Sequence, residues 1–205
     1  MKKIFTLKNV AAIGVFTAVA TLLYCIPGLQ FSIPVAPPFM KVHFDEIACL
    51  IAGLAYNPVV GVMVLLLKCL IKLPMDAANL WIGVLADFIY GLALVLPASL
   101  IYHKWRSLKG AVVAIIVGFS SSVIVSSFLG LYIIFPLYGW ALGEQAVIGM
   151  FQVLDPNINS VIDFRIAYKI LLPFNLIKNT FVCVVTFLIY KPISDFIEKR
   201  VKTQE

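Results

Sequence analysis

The sequence predicts an all-α membrane protein, a compact bundle of six transmembrane helices built as one domain over residues 1–205. Three observations carry that prediction. Of the 205 residues, 62% are apolar and only 13% are charged, whereas a soluble domain carries about 25% charge. Apolar runs approach the roughly 20 residues a bilayer-spanning helix requires. Basic residues cluster on alternate connections: Lys2, Lys3 and Lys8, then His103, Lys104, Arg106 and Lys109, then Lys191, Lys199, Arg200 and Lys202. Six spans with both termini in the cytoplasm of the cell membrane satisfy the positive-inside rule. The net charge of +6 is therefore a topology signal and not a nucleic-acid footprint.

The first span is expected over about 8–29, ended by Pro27-Gly28. Its basic start followed by an apolar body resembles a signal peptide, but the apolar body exceeds the 7–15 residues of that class and no small-x-small site follows. Ala11, Gly14, Ala18 and Thr21 recur at helical steps and form a face of small residues. Such a face either packs inside the bundle or docks a separate subunit.

Residues 31–44 contain three prolines and are apolar for a connection. Proline excludes a helix, and a solvated linker would be polar. A lid over the bundle is expected, with Phe39, Met40 and Phe44 as its apolar contacts. A short second span, about 45–56, starts at Asp45-Glu46 and stops at Asn57-Pro58. The third, about 59–73, carries Lys68 and Lys72 one turn apart. The fourth, about 79–102, spaces Asn79, Gly83, Asp87 and Gly91 in steps of four. The fifth, about 108–138, spaces Gly118, Ser122, Ser126 and Gly130 likewise, a close-packing pattern. An outer stretch with the turn Asp155-Pro156-Asn157 precedes the sixth span, about 166–190.

Several chemistries have no motif here. The sequence contains no phosphate-binding loop, so ATP hydrolysis is not expected of this chain. It lacks the His-Glu-x-x-His, Cys-x-x-Cys and Gly-x-Ser-x-Gly patterns. The four cysteines sit in apolar runs without pairing or metal-ligand spacing, and reduced thiols are expected. Neither catalytic residues nor a metal or cofactor is predicted.

The informative residues are polar groups inside apolar sequence. Asn175 and Lys178 stand three apart in Pro173-Phe174-Asn175-Leu176-Ile177-Lys178 and share a helix face. A lysine near the bilayer centre costs roughly 2.5–3.5 kcal/mol unless it lines a cavity, meets a partner or snorkels. Lys68, Lys72, Asn79, Asp87, Asn175 and Lys178 converge on the outer half of the bundle. Apolar walls with a few polar groups suit a small polar-and-aromatic ligand.

Asp45-Glu46-Ile47-Ala48-Cys49-Leu50-Ile51-Ala52-Gly53 and Asn57-Pro58-Val59-Val60-Gly61-Val62 resemble the second span and turn of vitamin-binding S components of energy-coupling factor transporters. Leu85 to Gly91 and Leu96 to Tyr102 resemble the fourth span of the riboflavin-specific members. Phe135-Pro136-Leu137-Tyr138 resembles the end of their fifth span, and Pro173 to Lys178 their last-span motif. The resemblance covers nearly the whole chain. It implies capture of a water-soluble vitamin, riboflavin foremost, together with a transmembrane coupling subunit and two cytoplasmic ATPases. It assigns Asn175 and Lys178 to the ligand, which would be the transported substrate and not a cofactor. Asp87, Asn79 and Tyr132 are the further candidate contacts, and Ala11, Gly14 and Ala18 the candidate docking face.

Two positions depart from the riboflavin pattern. Leu131-Tyr132 stands where an Asn-Tyr pair is usual, and Gly83-Val84-Leu85-Ala86-Asp87 where Gly-Glu-Leu-Ala-Asn is usual. An added acid at Asp87 suits a cationic vitamin such as a pyridoxamine-like amine. Outside the family, a proton-coupled secondary transporter would use Asp87 as its relay, and an intramembrane enzyme would need a catalytic constellation that the sequence does not offer.

Overall fold

In the computed structural model, residues 6–37, 39–75 and 81–202 are described, with side chains described to Ile189 apart from Pro27. Helix α1 runs Leu7–Cys25 and is capped by Thr6, whose hydroxyl accepts from Asn9 N–H at 3.3 Å. That bond satisfies one of the donors left over at a helix start. After a single turn at Pro27–Leu29 the chain forms two short antiparallel strands, β1 (Phe31–Ser32) and β2 (Lys41–Val42), which pair Phe31 with Val42 and Ser32 with Lys41. The proline-rich segment is thus tied into a hairpin.

Helix α2 (Asp45–Ala55) differs from the expected span. Its 11 residues rise only about 16 Å, roughly half the hydrocarbon thickness, and every residue from Asp45 to Leu54 is buried. It is a core helix packed among α1, α3, α4 and α9, whose ranges follow. The reason lies at its two ends, where the hairpin delivers a pair of acids and Asn57-Pro58 begins the next helix. Asn57 caps α3 (Pro58–Lys72), accepting from Val60 N–H at 3.0 Å, with Pro58 in the first turn where its missing N–H is harmless.

Helix α4 spans Ile82–Lys104 and α5 spans Leu108–Leu129, the latter capped by Ser107. A π-turn at Gly130–Ile134 joins α5 to α6 (Phe135–Leu142). Helix α7 (Glu144–Gln152) occupies part of the expected outer stretch. The last helix begins as α8 (Phe164–Ile166), passes through a second π-turn at Ala167–Leu171 and continues as α9 (Leu172–Lys202). It runs through Pro192, beyond the expected end at residue 190. Each π-turn lies just before a proline, Pro136 or Pro173. A proline ring clashes with the carbonyl four residues back, and the wider turn relieves that clash: Phe135 N–H reaches Gly130 O and Leu172 N–H reaches Ala167 O.

Five helical stretches are long and apolar enough to cross a membrane among the described residues: Leu7–Cys25, Pro58–Met75, Ile82–Lys104, Leu108–Leu142 and Phe164–Ile189. With α2 inside them, six helical segments make the bundle. Close approach depends on small residues. A Cβ on Gly61 would lie 2.7 Å from Gly53 Cα, and one on Gly118 would lie 2.7 Å from Leu94 O. Ala12, Ile13, Thr17 and Ala20 form the buried side of α1, whereas Ala11, Gly14 and Ala18 are exposed on its outer side. Nothing lies within 4 Å of a Cβ built on Gly14.

Candidate ligand-binding site

A cavity of about 540 Å³ opens between the hairpin segment and the ends of α3, α4 and α9. Its volume falls within the 300–1,000 Å³ usual for small-molecule sites. Five of the expected contacts line it: Asn175 and Lys178 from α9, Asp87 from α4, and Phe39 and Met40 from the hairpin loop. Their positions follow from local structure. Asn175 and Lys178 share one face of α9, and Asn175 Nδ2 donates to Leu171 O at 2.8 Å, which holds the amide at the wall. The Phe39 ring packs against Phe135, Tyr138 and Phe151, with centroids 5.3–6.3 Å apart. The segment is therefore folded onto the bundle beside the cavity.

Two expected contacts fall elsewhere. Phe44 does not line the cavity: at the start of α2 its ring turns to Phe31 of β1, 5.8 Å away. Tyr132 is 49% exposed on the outer surface, stacked on Phe128 at 4.8 Å. It sits in the first π-turn, where neighbouring Leu131 takes the buried position. Asn79 lies outside the described residues.

The walls also contain charge pairs that sequence reading did not join. Lys68 is fully buried and bound to Asp45, itself fully buried. His43, in the turn between β2 and α2, faces two carboxylates, Asp45 through Nδ1 and Asp87 through Nε2, the latter at 3.3 Å. Lys178 Nζ lies 3.0 Å from Glu46 Oε1 and 3.6 Å from Asp87 Oδ1. The Tyr24 hydroxyl donates to Asp87 Oδ2. Charges so deeply buried persist only when paired. Here three carboxylates, Asp45, Glu46 and Asp87, meet two lysines, Lys68 and Lys178. The set is neutral if the His43 imidazole is protonated.

The His43 ring supports that state. Burial opposes its charge, but Asp87 and then Asp45 outweigh burial and raise its pKa to about 9. Lys72 adds a further cation at the cavity, 5.1 Å from the centre of the Tyr24 ring.

The family of substrate-specific components of ECF transporters matches residues 8–190. The chain belongs to this family. Among relatives, it is 28% identical to the riboflavin transporter FmnP of Bacillus subtilis (strain 168) over 195 residues, covering 94% of this chain and 95% of the relative. It is 28% identical to the riboflavin transporter RibU of Staphylococcus aureus (strain TCH60) over 192 residues, covering 94% and 93%. A solved structure of the S component of a bacterial ECF transporter superposes with a TM-score of 0.71 at 27% identity, covering 93% of this chain and 97% of that one. Membership makes this chain the substrate-binding membrane component of a transporter that associates with an ECF module, and it agrees with the six-helix bundle read from the sequence.

Proposed function

We propose that this S component captures riboflavin from outside the cell and passes it inward with a transmembrane coupling subunit and two cytoplasmic ATPases, both of its own termini lying in the cytoplasm. The observation that carries the choice of ligand is the cavity itself, in which an aromatic cluster around Phe39 faces the polar group Asn175, Lys178 and Asp87. A flavin is a flat ring with one apolar edge, one edge of amide carbonyls and N–H groups, and a hydroxylated side chain. The polar group can donate to and accept from that amide edge, while Phe39 and Met40 shield the apolar portion. Two relatives of nearly equal length, both named riboflavin transporters, support the same choice.

Charge balance speaks against a cationic vitamin. The Asp87 carboxylate already meets Tyr24, His43 and Lys178. A protonated amine would disturb a set of charges that is neutral without it. The same saturation argues against Asp87 as a proton relay. Ala11, Gly14 and Ala18 form an outward face on α1 that suits docking on the coupling subunit, because small residues let helix backbones approach closely.

The direct test is to purify the protein in detergent and titrate riboflavin, following quenching of flavin fluorescence. Saturable quenching at submicromolar ligand, together with a yellow preparation from riboflavin-containing medium, is the expected result. A colourless protein that leaves flavin fluorescence unchanged while binding another vitamin would overturn the proposal.

A further inference from the structure

The His43 side chain lines the cavity but is not among the ligand contacts described above, and its ring joins the hairpin segment to two further helices. Both ring nitrogens face carboxylate oxygens, Nδ1 toward Asp45 of α2 and Nε2 toward Asp87 of α4. A neutral imidazole carries one N–H and could serve only one of them; the imidazolium donates from both. The ring is buried and lies 4.8 Å from the Tyr24 ring of α1. Every packed element presents a titratable or charged group here. Tyr24 comes from α1, Asp45 and Glu46 from α2, Lys68 (on Asp45) from α3, Asp87 from α4 and Lys178 from α9.

We infer that His43 is a positioning residue for ligand retention: as a doubly donating imidazolium it fastens the Phe31–Phe44 segment to α4 and holds the Asp87 carboxylate at the cavity wall. Two consequences follow. The segment that carries Phe39 and Met40 is anchored only four and three residues from its cavity contacts, so loss of the anchor loosens the contacts themselves. Asp87 loses one of its donors at the same time.

The sign of the pH dependence is determined by the direction of the shift. With its folded-state pKa raised from 6.5 to about 9, the clamp is complete below about 6.5 and is lost as pH rises through about 9. Acidification leaves it closed. The opposite sign would hold for a histidine buried as the neutral ring.

Two measurements test the inference, and only the second rests on the riboflavin reading. The first uses ligand-free protein labelled with ¹⁵N-histidine, the two histidine signals being assigned through His103→Gln. The expected result is that both His43 ring nitrogens are protonated at about pH 7.5 and that the ring titrates near pH 9. A His43 that is neutral at pH 7.5 would overturn the inference whether or not riboflavin binds. The second follows riboflavin dissociation by stopped-flow fluorescence between about pH 7 and 9.5 in wild type and His43→Gln, whose amide is uncharged, does not titrate and carries both N–H donors on one nitrogen. Wild type should release ligand at least about tenfold faster at the high end, in line with losing a charge-assisted hydrogen bond. His43→Gln should be fast at pH 7 with a flat profile, which also controls for titration of the ligand itself. A variant with the wild-type rate and the wild-type slope would overturn it. Should His43→Gln not fold, the wild-type ¹⁵N titration still decides.

Discussion

Replacing Lys178 with Met tests the buried charge set at the point where stability and ligand binding meet. The substitution keeps side-chain length and removes the ammonium that lies 3.0 Å from Glu46 Oε1 and 3.6 Å from Asp87 Oδ1. Asp87 keeps Tyr24 and His43, so the burden falls on Glu46. That carboxylate is 1% exposed, and its second oxygen has no hydrogen-bond partner among the described residues. Removing one partner of a buried ion pair costs about 3–5 kcal/mol, because it strands the other charge. A stranded carboxylate escapes by binding a proton, which at pH 7 costs an ordinary glutamate about 3.7 kcal/mol. The two routes agree, and the expected loss is about 3–4 kcal/mol. Thermal unfolding of the ligand-free protein in detergent should show a clearly lowered midpoint for Lys178→Met, with most of the loss recovered in Glu46→Gln/Lys178→Met. Riboflavin affinity should stay weak in both, since both lack the ammonium proposed to donate to the ligand. If Lys178→Met is as stable as wild type, or if the double variant is less stable than the single one, the pairing of Lys178 with Glu46 is not what keeps the acid buried.

Three further outcomes follow from the geometry. Phe39→Ala should raise the riboflavin off-rate more than it lowers the on-rate, while Phe44→Ala, with its ring on Phe31, should leave the off-rate unchanged; equal effects in stopped-flow release would refute the placement of the lid contacts. Gly14→Trp or Ala18→Trp should abolish uptake by cells and leave affinity in detergent intact, because both positions face outward; lost affinity would show that this face serves the bundle. Gly61→Ala should lower the thermal midpoint, because its Cβ would press to 2.7 Å on the Gly53 backbone, whereas Gly14→Ala should not, having nothing within 4 Å; a stable Gly61→Ala would contradict the backbone contact between α2 and α3.

Much of this molecule was legible in its residues, for identifiable reasons. Apolar runs, Pro and Asn punctuation and alternating basic clusters are local signals, and they indicated a six-segment bundle. The spacing of Asn175 and Lys178 is local as well, and both line the cavity. The charge pairs were not legible because each joins residues far apart in the chain. Asp45 and Glu46 look like an acidic helix start, and only the fold shows that Lys68 and Lys178 wait for them. Tyr132 was named from its match to the Asn-Tyr pair of the riboflavin pattern, and in the π-turn of this chain that position faces outward. Phe44 was grouped with the lid by its neighbours in sequence, but the start of α2 turns it toward β1.

The short acidic helix α2 also constrains how the protein can be made. A segment of 11 residues that carries Asp45 and Glu46 is too short and too polar to partition into lipid by itself. Its counter-charges are synthesised later, Lys68 on the next helix and Lys178 only on the last. Until α9 has entered the bilayer, Glu46 has no cation to meet. Until then the Glu46 carboxylate has to keep contact with water or bind a proton. The arrival of the final helix then seals it in place. A chain truncated before α9 would leave Glu46 without the ammonium that pairs with it in the complete bundle.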